Sequence, residues 1–262
     1  MTTSRLVQFT LFLLAVLSFT SCGVDSGEGD PLIFAAASLA DVLDESADLY
    51  ESETGKRVEF SFGGSIALAN QVASFGAPAD GFFFVGERPI AILESAGLNT
   101  AGNRSIRLHN ALVVIGSKGD APPDSLGELA ATNDRVAIGD PALAPAGVYA
   151  REALKAAGAW DEVSSRAIYA LDVRAAMAAV ESGNARYGIV YRTDALRSST
   201  VSTLFQINDG HTEIEYLGSA LEDAPNAMRA SEFLEFIANT PETRTLFESA
   251  GFSMGVVAPA TP

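Results

Sequence analysis

The sequence predicts an α/β fold of two lobes, each a mostly parallel sheet flanked by helices, and three observations carry that expectation. Apolar runs of strand length alternate with stretches whose apolar residues recur at helical spacing, the pattern that builds parallel sheets. About 230 residues follow a polar N-terminal stretch, enough for two lobes of roughly 100 residues each. Four junctions leading into helices are small or neutral: Ala37-Ser38, Gly64-Ser65, Pro145-Ala146-Gly147 and Asp172-Val173. In parallel sheets ligands gather where strands end and helices begin, so this set marks where a ligand would sit.

Each element follows from local pattern. Pro31 to Ala36 reads as a buried strand; Leu39, Val42, Leu43 and Tyr50 then trace a helical stripe, which Gly55 stops at a C′ position. Val58, Phe60 and Phe62 alternate as a strand, and Gly63-Gly64-Ser65 turns into a helix over about Ile66 to Phe75. Gly81 to Val85 is apolar on both faces, as a strand covered by helices on both sides must be. Pro89 to Ala96 is helical and ends at Gly97. Strands follow at Ala111 to Ile115 and Arg135 to Ile138, and the second runs through Gly139-Asp140-Pro141 into a helix at Pro145, a residue suited to a first turn. That helix, Ala146 to Ala157, stops at Gly158. A helix from Asp172 to Ser182, strands at Tyr187 to Tyr191 and Thr212 to Leu217, and helices at about Ala227 to Asn239 and Pro241 to Ser249 complete the pattern. No internal repeat or low-complexity segment interrupts it.

The N-terminus reads differently. Residues 1–21 carry one basic residue, Arg5, and an apolar run from Leu11 to Phe19, and end in Thr20 and Ser21: a secretory signal peptide, too short for a stable membrane span. The single cysteine, Cys22, follows at once, and Phe19-Thr20-Ser21-Cys22 resembles a bacterial lipobox with Phe where Leu is usual. Residues 22–30 then form a polar, Gly-rich tether, so a lipid on Cys22 would hold a soluble body at a membrane. Losing residues 1–21 removes one base and no acid from a chain of net charge −16, which leaves −17. That charge excludes nucleic acid as a partner and disfavours anionic membrane faces. It does not exclude a small anion, because screening confines the field to about 8 Å and local donors override it.

Phe34 to Asp41, FAAASLAD, brings an apolar strand to a serine at a helix start with no charged side chain beside it. Helix N-termini present unsatisfied N–H donors and a partial positive charge, so such a turn can hold an anion; taken by itself Ser38 reads by default as an N-cap. The wider pattern is more specific. FAAASL (34–39), GAPAD (76–80), IGDPALAPAGVYAREAL (138–154), GAW (158–160), DVRAAMAAVESG (172–183), GIVYRTDA (188–195) and the closing GF (251–252) resemble, in order and spacing, the periplasmic molybdate-binding proteins of ABC importers.

The resemblance implies a two-lobed type II periplasmic binding protein that buries an oxyanion in the interlobe cleft and delivers it to an ABC permease in the inner membrane. It implies a site of hydroxyls and backbone amides: Ser38 and Ser65 from the first lobe, the N–H groups of Ala146 and Val173 and the phenol of Tyr191 from the second. The ligand would be molybdate or tungstate, with no cofactor, no direct metal ligand and a monomeric receptor. Lobe 1 would comprise residues 31–109 and 216–262, lobe 2 residues 110–215, with crossings near His109-Asn110 and between Gln206 and Leu217. Two departures stand out. Gly63, Gly64 and Ile66 flank Ser65 where a run of serines is frequent, and Val85-Gly86-Glu87 replaces a Ser-Ala-Asp ending.

Asp140 and Asp172 read as turn formers or caps rather than ligands for an anion, and Arg174 as a structural ion pair. Enzyme chemistry finds no support: only His109 and His211 are available, no G-x-S-x-G surrounds either serine, and HExxH, P-loop and Cys/His metal spacings are absent. A serine hydrolase using Ser38 or Ser65 and a ligand-free scaffold lipoprotein stay open as alternatives. A site built only of N–H and O–H donors would accept a deprotonated tetrahedral oxyanion and offer a protonated phosphate few acceptors, leaving size to separate molybdate or tungstate from sulfate.

Overall fold

The computed structural model describes residues 29–98, 106–117 and 123–254; the leader, Cys22 and the tether up to residue 28 lie outside them. The first lobe opens with β1 (Leu32–Ala36), a 3-10 turn (Ala37–Leu39), α1 (Ala40–Thr54), β2 (Glu59–Gly63), α2 (Ser65–Phe75), β3 (Gly81–Val85), α3 (Glu87–Ser95) and β4 (Ile106–His109). The second contains β5 (Leu112–Ser117), α4 (Leu126–Ala131), β6 (Val136–Gly139), α5 (Pro145–Ala156), α6 (Trp160–Ser164), β7 (Ala167–Ala170), α7 (Val173–Glu181), β8 (Tyr187–Tyr191), α8 (Arg192–Arg197) and β9 (Val201–Ile207). The chain returns to the first lobe with β10 (Glu215–Ala220), α9 (Ala227–Asn239), α10 (Pro241–Ser249) and β11 (Ser253–Met254).

Two sheets result, in the orders β11-β4-β10-β3-β1-β2 and β7-β6-β8-β5-β9. The strand-helix-strand units pair in parallel, β2-β1-β3 and β7-β6-β8, as a helical crossover requires. Strands adjoining the crossings between lobes pair antiparallel: β10 with β3 and β4, and β5 with β8 and β9. Both sheets are therefore mixed rather than mostly parallel, because a strand entering from the other lobe can arrive from the opposite end.

Strand β3 shows how composition sets the layers. All five of its residues are buried. Phe82 and Phe84 pack with Leu68, Ala69, Val72, Ile90 and Leu93 of α2 and α3, whereas Phe83 and Val85 face the other layer with Phe233 and Phe247 of α9 and α10. A strand with helices on both faces can use aromatic residues at every position, since its alternation feeds two cores.

Most elements lie where the pattern places them, with boundaries moved by a few residues: α3 starts at Glu87 and β10 runs Glu215–Ala220. The stretches left without elements by periodicity contain β4, α4, α6, β7, α8, β9 and β11. Burial explains the misses at β9, α4 and α6. Edge strand β9 alternates poorly, with only Val201 and Ile207 buried, and α4 and α6 each bury a single residue. Among the described residues, no helix is long and apolar enough to cross a membrane.

Candidate functional site

Four backbone turns meet where the lobes touch. Gly64, just before α2, stands so near the second lobe that a Cβ there would lie 2.5 Å from the Leu143 carbonyl oxygen and 2.8 Å from that of Leu171. Ala67 donates its N–H to the same Leu143 oxygen at 3.0 Å. Helix α7 rests against the 3-10 turn that holds Ser38. The starts of α2, α5 and α7 and the Ser38 turn thus lie together at the interlobe contact. Ser65 and Val173 are first residues of their helices and Ala146 a second, positions whose N–H groups have no intrahelical acceptor.

The two serines do not act as caps. Ser38 is buried and its Oγ lies 2.9 Å from the phenol oxygen of Tyr216, 178 residues away. Ser65 is also buried, and its Oγ accepts the N–H of Val85 at 3.2 Å. Tyr191, 2% exposed, keeps a buried hydroxyl with no hydrogen-bond partner among the described residues. A buried phenol left without a partner is costly. Burial, and next the neighbouring Tyr216, raise its pKa well above the usual value, which keeps it a neutral donor.

The acidic residues nearby are occupied. Asp172 caps α7 by accepting Ala175 N–H at 2.9 Å, and Asp140 accepts Ala142 N–H at 2.8 Å. Arg174 contacts Asp41 at 2.6 Å and the wholly buried Asp194 at 2.5 Å, the second as a close ion pair outside hydrogen-bonding alignment. Arg197 also reaches Asp41, at 2.7 Å, and Glu45 at 3.3 Å. These pairs fasten α1 of one lobe to α7 and α8 of the other. Among the described residues no group of acids, histidines and cysteines could hold a metal ion.

Beside the turns lies a cavity of about 300 Å³, walled by Ile66, Val85 and Gly86 on one side and Pro145, Val148 and Tyr149 on the other. Gly86 has φ +75°, and a Cβ there would come within 2.7 Å of the Tyr149 hydroxyl. The Val85-Gly86-Glu87 ending therefore makes room for Tyr149 from across the cleft. The closing GF also gains a role: Arg192 donates to the Gly251 carbonyl at 2.6 Å, and Phe252 packs edge-on against Tyr216 with ring centroids 5.3 Å apart.

The residues that sequence reasoning missed are Gly64 as a close-approach position, Asp194, and the pair Asn110 and Tyr216. Only Gly64 carried a signal, as a glycine immediately before a helix.

A family profile described as bacterial extracellular solute-binding protein matches residues 31–253. The molybdate-binding protein ModA of Escherichia coli K12 is 35% identical over 254 residues, covering 93% of this chain and 97% of that protein. The protein of the same name from Haemophilus influenzae is 35% identical over 251 residues, covering 93% and 96%. The solved structure of the periplasmic molybdate-binding protein from Azotobacter vinelandii superposes with a TM-score of 0.75 at 21% identity, over 87% of this chain and all of that one, a likeness of fold.

Proposed function

Because the chain belongs to the bacterial extracellular solute-binding protein family, we propose that it captures molybdate, and tungstate of nearly equal size, and delivers it to an ABC permease. Its relatives are solute-binding proteins rather than enzymes, so Ser38 and Ser65 are read as donors to an anion and not as nucleophiles. The observation that carries the reading is the buried hydroxyl of Tyr191, without a hydrogen-bond partner among the described residues, in a chain whose α2, α5 and α7 starts lie together at the interlobe contact. On this reading Ser38, Ser65 and Tyr191 give hydroxyl donors, and Ala146 and Val173 give backbone N–H groups, to a bound oxyanion. The lobes, 31–109 with 216–262 and 110–215, hinge at the two crossings and close over it. The lipid on Cys22, the signal peptide of residues 1–21 and a monomeric state belong to the same proposal; the first two rest on sequence alone.

A thermal-shift panel tests it. Micromolar molybdate or tungstate should raise the melting temperature where sulfate and phosphate do not, since ligand at 100 times its Kd adds about 2.7 kcal/mol. Absence of a shift with every oxyanion refutes the proposal. Tyr191→Phe and Ser38→Ala should each weaken molybdate binding by about 1–3 kcal/mol, the cost of one donor lost from a buried charged ligand; calorimetric titration reads the loss, and unchanged affinity removes that residue from the site.

A further inference from the structure

One hydrogen-bond chain runs from both interlobe crossings to Ser38, and its proton positions can be assigned. Asn110 follows β4 at the first crossing, and its Oδ1 accepts the Ala111 N–H at 2.8 Å. That contact fixes the orientation of the amide, so the atom facing Thr193 Oγ1 at 2.9 Å and the Tyr216 hydroxyl at 3.1 Å is Nδ2. Both Nδ2 hydrogens are thereby used. Tyr216, wholly buried in β10 beyond the second crossing, accepts one of them, and its own proton goes to Ser38 Oγ at 2.9 Å. The reverse arrangement would leave the phenol proton buried without an acceptor. Ser38 then has one lone pair occupied and its hydroxyl proton free for the cleft. Ser65 is set the same way, because Val85 N–H donates to its Oγ.

Resting on the receptor reading above, we propose that Tyr216, held by Asn110, is a positioning residue that makes Ser38 a donor, so that the site rejects oxyanions carrying a proton. A fully deprotonated dianion takes hydrogen bonds from every group. Hydrogen phosphate needs an acceptor for its own proton, and Ser38 and Ser65 each meet it with a proton of their own. In Tyr216→Phe the shape of the core is kept while the Ser38 hydroxyl is released to turn and accept.

Calorimetric titration at neutral pH with sodium molybdate and sodium phosphate tests this on the wild type, Tyr216→Phe, Ser38→Ala and the double variant. Tyr216→Phe should lose about threefold to tenfold in molybdate affinity, within the range for one weakened hydrogen bond to a charged group, and narrow the molybdate-to-phosphate ratio about tenfold. In the Ser38→Ala background the same change should have no further effect, because Tyr216 acts through Ser38. Asn110→Ser, which withdraws the donor to the phenol, should narrow the ratio in the same direction and serves if Tyr216→Phe does not fold. An unchanged ratio in these variants, or losses that add in the double variant, overturns the inference and leaves the receptor reading standing. A wild type that binds no oxyanion overturns both.

Discussion

Alanine at position 64 is expected to weaken molybdate binding by about 3 kcal/mol, roughly a hundredfold, while the unliganded protein melts as the wild type does. Gly64 has φ −67° and ψ 124°, values that alanine adopts without strain, so the first lobe should fold normally. The nearest atoms the added carbon meets belong to the second lobe, one carbonyl oxygen at 2.5 Å and another at 2.8 Å. Both are backbone atoms at the turns that lead into α5 and α7, so neither can swing aside as a side chain would. Closure would have to stop short, and on the receptor reading proposed above the N–H groups of Ala146 and Val173 would stand back from the ligand. Calorimetric titration with a parallel thermal melt separates the two effects: wild-type affinity, or a lowered melting temperature with unaltered affinity, would show that this contact does not govern closure.

Replacing Asp194 by alanine should cost about 3 kcal/mol of folding stability, the lower end for removing one partner of a buried ion pair, since Arg174 keeps Asp41. Urea unfolding measures it, and a cost below about 1 kcal/mol, the level of surface pairs, would mean that the pair is not structural. The pH response has the opposite sign to that of an ordinary paired carboxylate. Burial pushes the Asp194 pKa up to about 6, and Arg174 opposes that shift without cancelling it. Its unfolded value is near 3.9, so between about pH 4 and pH 6 the folded protein holds a proton that the unfolded chain lacks. This group therefore adds stability as pH falls through 6. Compared with Asp194→Asn, which cannot titrate, the wild type should gain in relative stability from pH 7 to pH 4.5. A relative loss over that range would show an ionised carboxylate held below its normal pKa instead.

Much of the fold was legible because its strands and helices bury regular faces. Phe82, Phe83 and Phe84 announce a strand covered on both sides, and Leu39, Val42, Leu43 and Tyr50 announce a helix on a sheet. Elements with a single buried residue, such as α4 and α6, or with broken alternation, such as β9, left no periodic trace. The site was legible in part for a related reason. Ser38, Ser65, Ala146 and Val173 lie at helix starts, and a helix start is a local property. Whether those starts meet is not local, and Ser38 alone reads as an N-cap, whereas its hydroxyl lies on Tyr216 rather than on a backbone N–H.

What the sequence by itself determined is therefore the set of parts: alternating strands and helices, the neutral small-residue junctions and the acidic surface, each a consequence of composition and spacing along one stretch of chain. The tertiary structure alone decided which parts touch. Gly64 against Leu143 and Leu171, Arg174 between Asp41 and Asp194, and Asn110 and Tyr216 behind Ser38 join residues far apart in the chain. Such contacts depend on how two lobes cross and close, and a steric limit or a proton's direction exists only once both partners are in place.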